Sequence, residues 1–160
     1  MTGGPPTTTS PVDLMQWLLD LVNRWVGRYL IGKGALLGVI GISWLGPPTP
    51  ARMDGIGWVD FVEPWIIGGG WIAAGVLAVA AGLTRHQVLS RLAWAMLISV
   101  PGISGAYFAV GWWLSLAGLA DGAPRGWITA ASYLAFAVAS YCVAQIATET
   151  GPLAEAWEDA

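Results

Sequence analysis

The sequence has little of what disulfide-rich, metal-binding and nucleic-acid-binding proteins use. It contains one cysteine, Cys142, which excludes an internal disulfide framework and any multi-cysteine metal site. Only 11% of its 160 residues are charged, against about 25% in ordinary soluble domains. Its seven scattered Lys and Arg residues are too few for a basic nucleic-acid-binding surface. We therefore expect no nucleic-acid partner.

A recognisable catalytic constellation is also missing. The single histidine, His86, lies in a short basic connection, where a solvated side chain is expected, and Cys142 lies in an apolar stretch with no histidine to activate it. Asp54, Asp60 and Glu63 lack the fixed spacing of a divalent-cation site, so we interpret them as solvated loop charges. We predict a non-enzymatic protein with no catalytic residue, no bound metal and no cofactor.

The first eleven residues contain neither Lys nor Arg. A cleavable signal peptide begins with a basic region, so none is expected here, and the first membrane span should serve as the targeting signal. Three prolines and two glycines in the same stretch favour a disordered N-terminal tail over residues 1–11.

The sequence is rich in long apolar runs. Hydrophobic residues make up 56% of the chain, and residues 64–83 contain no charge. A helix of this length reaches about 30 Å, the thickness of the hydrocarbon core of a bilayer. We predict an all-α integral membrane protein, a four-helix transmembrane bundle whose domain covers residues 29–147. Its predicted spans are residues 29–45, 64–83, 92–119 and 127–147, and its expected partner is the lipid bilayer.

Two segments flank the predicted bundle. In residues 12–28, polar residues recur at three- and four-residue steps between Asp13 and Arg28, which predicts an amphipathic helix. We favour a helix lying in the headgroup region, with packing against a neighbouring protein as the alternative. Residues 148–160 are predicted to form a solvated acidic tail.

Small residues recur at steps of three or four residues in three of the predicted spans. Such steps place small residues on one helix face, where another helix can approach closely. The predicted packing positions are Gly34 and Gly38 with Gly41 in the first span, Gly70, Ala74, Ala78 and Gly82 in the second, and Ala131, Ala135 and Ala139 in the fourth. This pattern predicts self-association or assembly into a larger membrane complex.

Three residues interrupt the predicted spans. Pro101 and Gly102 lie in the middle of the third span and predict a kink, because proline lacks a backbone donor and clashes with the preceding turn. Lys33 is placed in the first two turns of the first span. Its long stem is expected to carry the ammonium to the headgroups, with a buried functional charge as the alternative.

Most of the eleven tryptophans fall near predicted span ends, as an aromatic belt at the membrane interface requires. The predicted interface anchors are Trp17, Trp25, Trp44, Trp58, Trp65 and Trp127.

The distribution of Lys and Arg predicts the orientation. Five lie on one side of the predicted spans (Arg24, Arg28, Lys33, Arg85 and Arg91) and two on the other (Arg52 and Arg125). Cytoplasmic segments are enriched in basic residues. We therefore expect a multi-pass protein of the cytoplasmic (inner) membrane with both termini in the cytoplasm.

Four features occur together in this chain: the Gly-, Ala- and Trp-rich spans, the segment 58–70, the basic loop at 85–91 and the charged tail. In these features the chain resembles small four-span membrane proteins of actinobacterial phages, some of them holin-like members of lysis cassettes. The resemblance implies helix oligomerisation in the cytoplasmic membrane, followed by loss of the permeability barrier. The main alternative is a structural or accessory subunit of a larger membrane complex. A third is a small-solute channel or carrier lined by serine and tyrosine hydroxyls.

Overall fold

The computed structural model describes residues 11–47, 63–84, 86–119 and 126–158, with side chains described within 24–47, 63–84, 86–119 and 126–148. In these ranges the regular structure is entirely α-helical. The four helices are α1 (Pro11–Leu45), α2 (Pro64–Thr84), α3 (Gln87–Leu116) and α4 (Gly126–Glu158). Residues 1–10 of the tail predicted over 1–11, and the connection at 48–62, lie outside the described residues, while Pro11 is the first residue of α1.

Each helix contains a stretch that is long and apolar enough to cross a membrane. These stretches are Arg24–Leu45, Pro64–Thr84, Gln87–Leu116 and Gly126–Thr148. The prediction of an all-α chain with four helices of membrane-spanning length and composition is confirmed.

Two helices extend beyond the predicted span boundaries. α1 is one helix of 35 residues, so residues 12–28 and the first span belong to the same unbroken element. α4 continues through most of the segment predicted as an acidic tail. The extension of α1 follows from a stretch without proline between Val12 and Leu45, so nothing interrupts its backbone hydrogen bonds. α4, in contrast, continues through Gly151 and Pro152, where the sequence predicts a break. The location of residues 12–28 in a headgroup layer stays a prediction.

The helices pack as two antiparallel hairpins. α1 packs closely on α2, and α3 packs closely on α4, while α2 and α3 join the hairpins and α1 and α4 form the loosest of the four contacts between neighbouring helices. The larger part of the core lies between α1, α2 and α3. Its buried members are Leu30, Leu37, Trp71, Ala74, Ala78, Ala81, Ala93 and Leu97.

The third helix passes through a proline and ends at a glycine. α3 continues through Pro101, whose side chain is buried, and proline cannot donate the usual backbone hydrogen bond one turn back. At the C-terminus, Gly118 has φ of 69°, its N–H donates to Ser115 O, and the next N–H donates to Leu114 O. This paired bonding is the Schellman motif, which explains why α3 ends at Leu116 and not at the predicted residue 119.

Candidate functional site

The contact between α1 and α2 is built from glycines seven residues apart on each helix. Three antiparallel pairs face each other: Gly27 with Gly82, Gly34 with Gly75, and Gly41 with Gly68. A Cβ added to Gly34 would lie 2.6 Å from the carbonyl oxygen of Gly75, and one added to Gly41 would lie 2.7 Å from that of Gly68. Real Cβ atoms do not approach so closely, so the two backbones touch only because these side chains are absent.

The seven-residue spacing accounts for the length of this contact. Seven residues are nearly two helical turns, so residues repeated at this interval stay on one seam when two helices wrap gently around each other. Glycine at each repeat brings the backbones together over three levels of the hairpin.

The predicted packing residues of the first two spans lie on different faces of their helices. Gly34 and Gly82 lie in the glycine contact, and Gly38 presents its backbone nitrogen 2.8 Å from where a Cβ on Gly75 would stand. Ala74 and Ala78 are fully buried in the core. Gly70 faces α3, where an added Cβ would meet only Val100, at 4.0 Å. Gly27, Gly68 and Gly75 are not among the predicted packing positions, because steps of three or four residues do not connect them; steps of seven find all three.

Gly70 opens onto an apolar cleft between α2 and α3. The cleft has a volume of about 260 Å³ and is lined mainly by aliphatic and aromatic side chains, with hydroxyls from Ser104 and Tyr107.

The hydroxyls proposed for a solute path do not share one face. On α4, Ser132 is exposed, while Ser140 is fully buried and donates to Phe136 O at 2.9 Å.

A buried tryptophan joins three helices at the centre of the bundle. Trp71 on α2 is 0% exposed, and its Nε1–H donates to Ser104 Oγ on α3 at 3.1 Å. Its ring centroid lies 4.8 Å from that of Tyr133 on α4. Buried tryptophan needs a partner for its N–H, and Ser104 supplies it without introducing a charge.

The predicted tryptophan anchors occupy different environments. Trp25, Trp65 and Trp127 are each more than half exposed near the ends of their spans. Trp44 is 5% exposed and packs against Phe108 at 6.2 Å between ring centroids, so its ring contacts protein and belongs to the core. The side chains of Trp17 and Trp58 lie outside the described residues.

Lys33 lies deeper along the bundle than the predicted first turns of a span. It adjoins Gly34, whose partner Gly75 lies 11 positions after the first residue of α2 and 9 before its last. The Lys33 Nζ lies 4.1 Å from the ring centroid of Phe136 on α4 and 5.9 Å from that of Tyr29. These cation–π contacts place an ammonium group in the least closely packed seam of the bundle, between α1 and α4.

The predicted alanine stripe of α4 lies on the outside. Ala131, Ala135 and Ala139 are all exposed. The buried positions in the described part of α4 lie on the other side of the helix: Gly126, Ala130, Ala137 and Ser140. The packing role of the stripe stays a prediction that concerns another chain. Neighbouring positions in a helix differ by about 100°, so sequence spacing finds a stripe without showing which way it faces.

Two glycines of α3 lie along its contact with α4. A Cβ on Gly102 would stand 3.8 Å from Ala137 Cβ. Gly105 comes closer, because a Cβ there would lie 2.9 Å from the Leu134 side chain. Pro101, which precedes Gly102, is buried.

Metal-binding groups are sparse in the described part of the chain. There, no three His, Cys, Asp or Glu side chains lie close enough to hold a metal ion, and Cys142 is an exposed free thiol. Asp54 and Asp60 lie outside the described residues.

Comparisons with protein-family models, curated proteins and solved structures find no match for this chain.

Proposed function

We propose that this chain is a multi-pass protein of the cytoplasmic membrane that acts by self-association through α4, in the manner of a holin. The observation that carries the proposal is the outward position of the Ala131, Ala135 and Ala139 stripe. Within the chain, small residues form the close contacts of both hairpins. The alanine stripe on the outer surface would allow a second copy of the chain to approach α4 in the same close way.

The outward side chains support placement of the bundle in lipid. Large apolar side chains are exposed on every helix, including Val39 and Ile42 on α1, Val76 on α2, Ile103 on α3 and Val138 on α4. Water-soluble proteins rarely expose apolar surface so broadly. In a bilayer the same surface contacts acyl chains, and the helices satisfy their own backbone groups.

The basic residues support cytoplasmic termini. Arg24, Arg28 and Arg91 all lie near the end of the bundle at which α2 finishes and α3 begins. Four crossings return α4 to the side where α1 begins, and Lys and Arg are enriched on the cytoplasmic side.

Self-association would act on the membrane without an active site. Copies joined through α4 would form pairs, and further contacts between the pairs would extend them into a lateral array. Above a threshold concentration the array would open the bilayer to ions. The trigger is then assembly, which makes the onset abrupt and dependent on the amount of protein in the membrane.

Inducible expression in a bacterium tests this proposal, with membrane potential and culture density followed together. We expect an abrupt loss of potential for the natural chain and a delayed or absent loss for Ala135→Leu, because leucine fills the stripe. Ala73→Leu is the matched control, since Ala73 is also exposed but lies on α2 away from the stripe.

Steady growth with the natural chain fully present in the membrane would refute the holin-like proposal. A stoichiometric heterologous partner recovered from detergent, without any homo-oligomer, would support the accessory-subunit alternative in its place.

A further inference from the structure

We infer that Lys33 is the docking point for a second transmembrane helix, from another protein, that carries a carboxylate near the middle of the membrane. The inference concerns the seam between α1 and α4, a different surface from the alanine stripe. It does not depend on self-association.

The position of Lys33 along the bundle is the first step. Gly75, opposite its neighbour Gly34, is 11 positions from one end of α2 and 9 from the other. At about 1.5 Å per residue these distances are roughly 16 and 14 Å, longer than the four-carbon stem of lysine. In this position the ammonium cannot be carried to either headgroup layer, and its cost in lipid must be offset within the membrane.

The surroundings of Lys33 offset only part of that cost. Its described contacts are the ring faces of Phe136 and Tyr29, and it forms no hydrogen bond or ion pair with any described residue. Aromatic faces attract a cation but leave its N–H donors without acceptors. The hydroxyl of Tyr29, one turn earlier on α1, is buried and also lacks a partner. The Lys33 ammonium therefore lacks an acceptor among the described residues.

A second copy of this chain does not supply the missing group from its described residues. The only carboxylate among the described side chains is that of Glu63, just before α2 begins. It lies at the end of the bundle, near the level of Gly68 and Gly41, and it accepts a hydrogen bond from Trp65 Nε1–H. The described residues of this chain therefore offer no acid at the level of Lys33, and the proposed partner that supplies one is a different protein.

The seam that holds Lys33 is the least closely packed of those between neighbouring helices, and Lys33 itself is only half-buried. Phe136 is one position from Ala135, a rotation of about 100° around α4. A helix against Lys33 and Phe136 therefore leaves the alanine stripe open, and both associations can occur in one assembly.

The test uses the full chain in phosphatidylcholine vesicles at pH 8, labelled with a donor dye on Cys142, the only cysteine, which is exposed. The probe is a synthetic Leu/Ala transmembrane helix with one central Asp and an acceptor dye, compared with the same helix carrying central Asn or central Leu. Energy transfer as a function of peptide concentration in the membrane gives each association constant.

We expect the Asp helix to bind at least about tenfold more tightly than the Leu helix. Lys33→Leu should abolish this preference and Lys33→Arg should keep it. Lys33→Asp with a central-Lys helix should restore binding, which separates loss of charge from loss of folding. Arg28→Leu, a control that removes a charge near the span end, should leave the preference unchanged.

Equal binding of the Asp and Leu helices to the natural chain would overturn the inference. So would a preference that survives Lys33→Leu. A chloride flux through vesicles holding this chain alone, lost in Lys33→Leu and kept in Lys33→Arg, would also overturn it, because Lys33 would then face a water-filled path and not a partner helix.

Discussion

Gly75→Ala tests whether the glycine pairs hold α1 against α2. The new Cβ would lie 2.6 Å from Gly34 O and 2.8 Å from Gly38 N, both backbone atoms that cannot rotate away. Ordinary contact begins near 3.4 Å, so the two helices must separate by about 0.8 Å at this level. Overpacking of this kind costs about 1–3 kcal/mol.

Gly69→Ala is the matched control for this substitution. Gly69 is on the same helix, is exposed, and has nothing within 4 Å of an added Cβ. Both variants gain the same helix propensity, up to about 1 kcal/mol, so their difference isolates the contact.

The assay is reversible unfolding of the purified protein in mixed micelles with increasing SDS, followed by tryptophan fluorescence. We expect Gly75→Ala to unfold with a free energy about 1–3 kcal/mol lower than Gly69→Ala. Equal stability of the two variants would refute the close backbone contact between α1 and α2.

Further predictions concern single contacts, with the same unfolding assay. Trp71→Ala should cost about 3–5 kcal/mol, because it removes a fully buried ring at the junction of three helices. Ser104→Ala should cost only about 0.6 kcal/mol, the average for a hydrogen bond between membrane helices, and a cost as large as that of Trp71→Ala would contradict this assignment. Gly118→Ala should cost about 1–2 kcal/mol, since φ of 69° strains any residue with a Cβ; no loss would show that α3 ends in another way.

The helices could be predicted from the sequence because each depends on local properties. The charge-free run at 64–83 predicts α2 within one residue of its observed bounds, Pro64–Thr84. Length, apolar composition and the Gly and Pro residues between runs are enough to locate such elements.

Which face of each helix is buried could not be predicted in the same way, because it depends on which helices become neighbours. The four-residue steps of Ala131, Ala135 and Ala139 look like those of a packed face, yet they are exposed. Trp44 lies at the end of a span, as an anchor would, but Phe108 from a distant part of the chain covers it. The depth of Lys33 likewise emerges only from the register of α1 on α2, which the glycine pairs determine.

The most direct test of the central claim, that four helices cross the membrane, is labelling of single cysteines in intact cells. Four exposed positions serve as sites in a Cys142→Ala background: Gly46, His86, Leu119 and Thr148. Four crossings predict that a membrane-impermeant maleimide reaches Gly46→Cys and Leu119→Cys from one side, and His86→Cys and Thr148→Cys only from the other. Labelling of Gly46→Cys and His86→Cys from the same side would contradict the account, because α2 would then not cross.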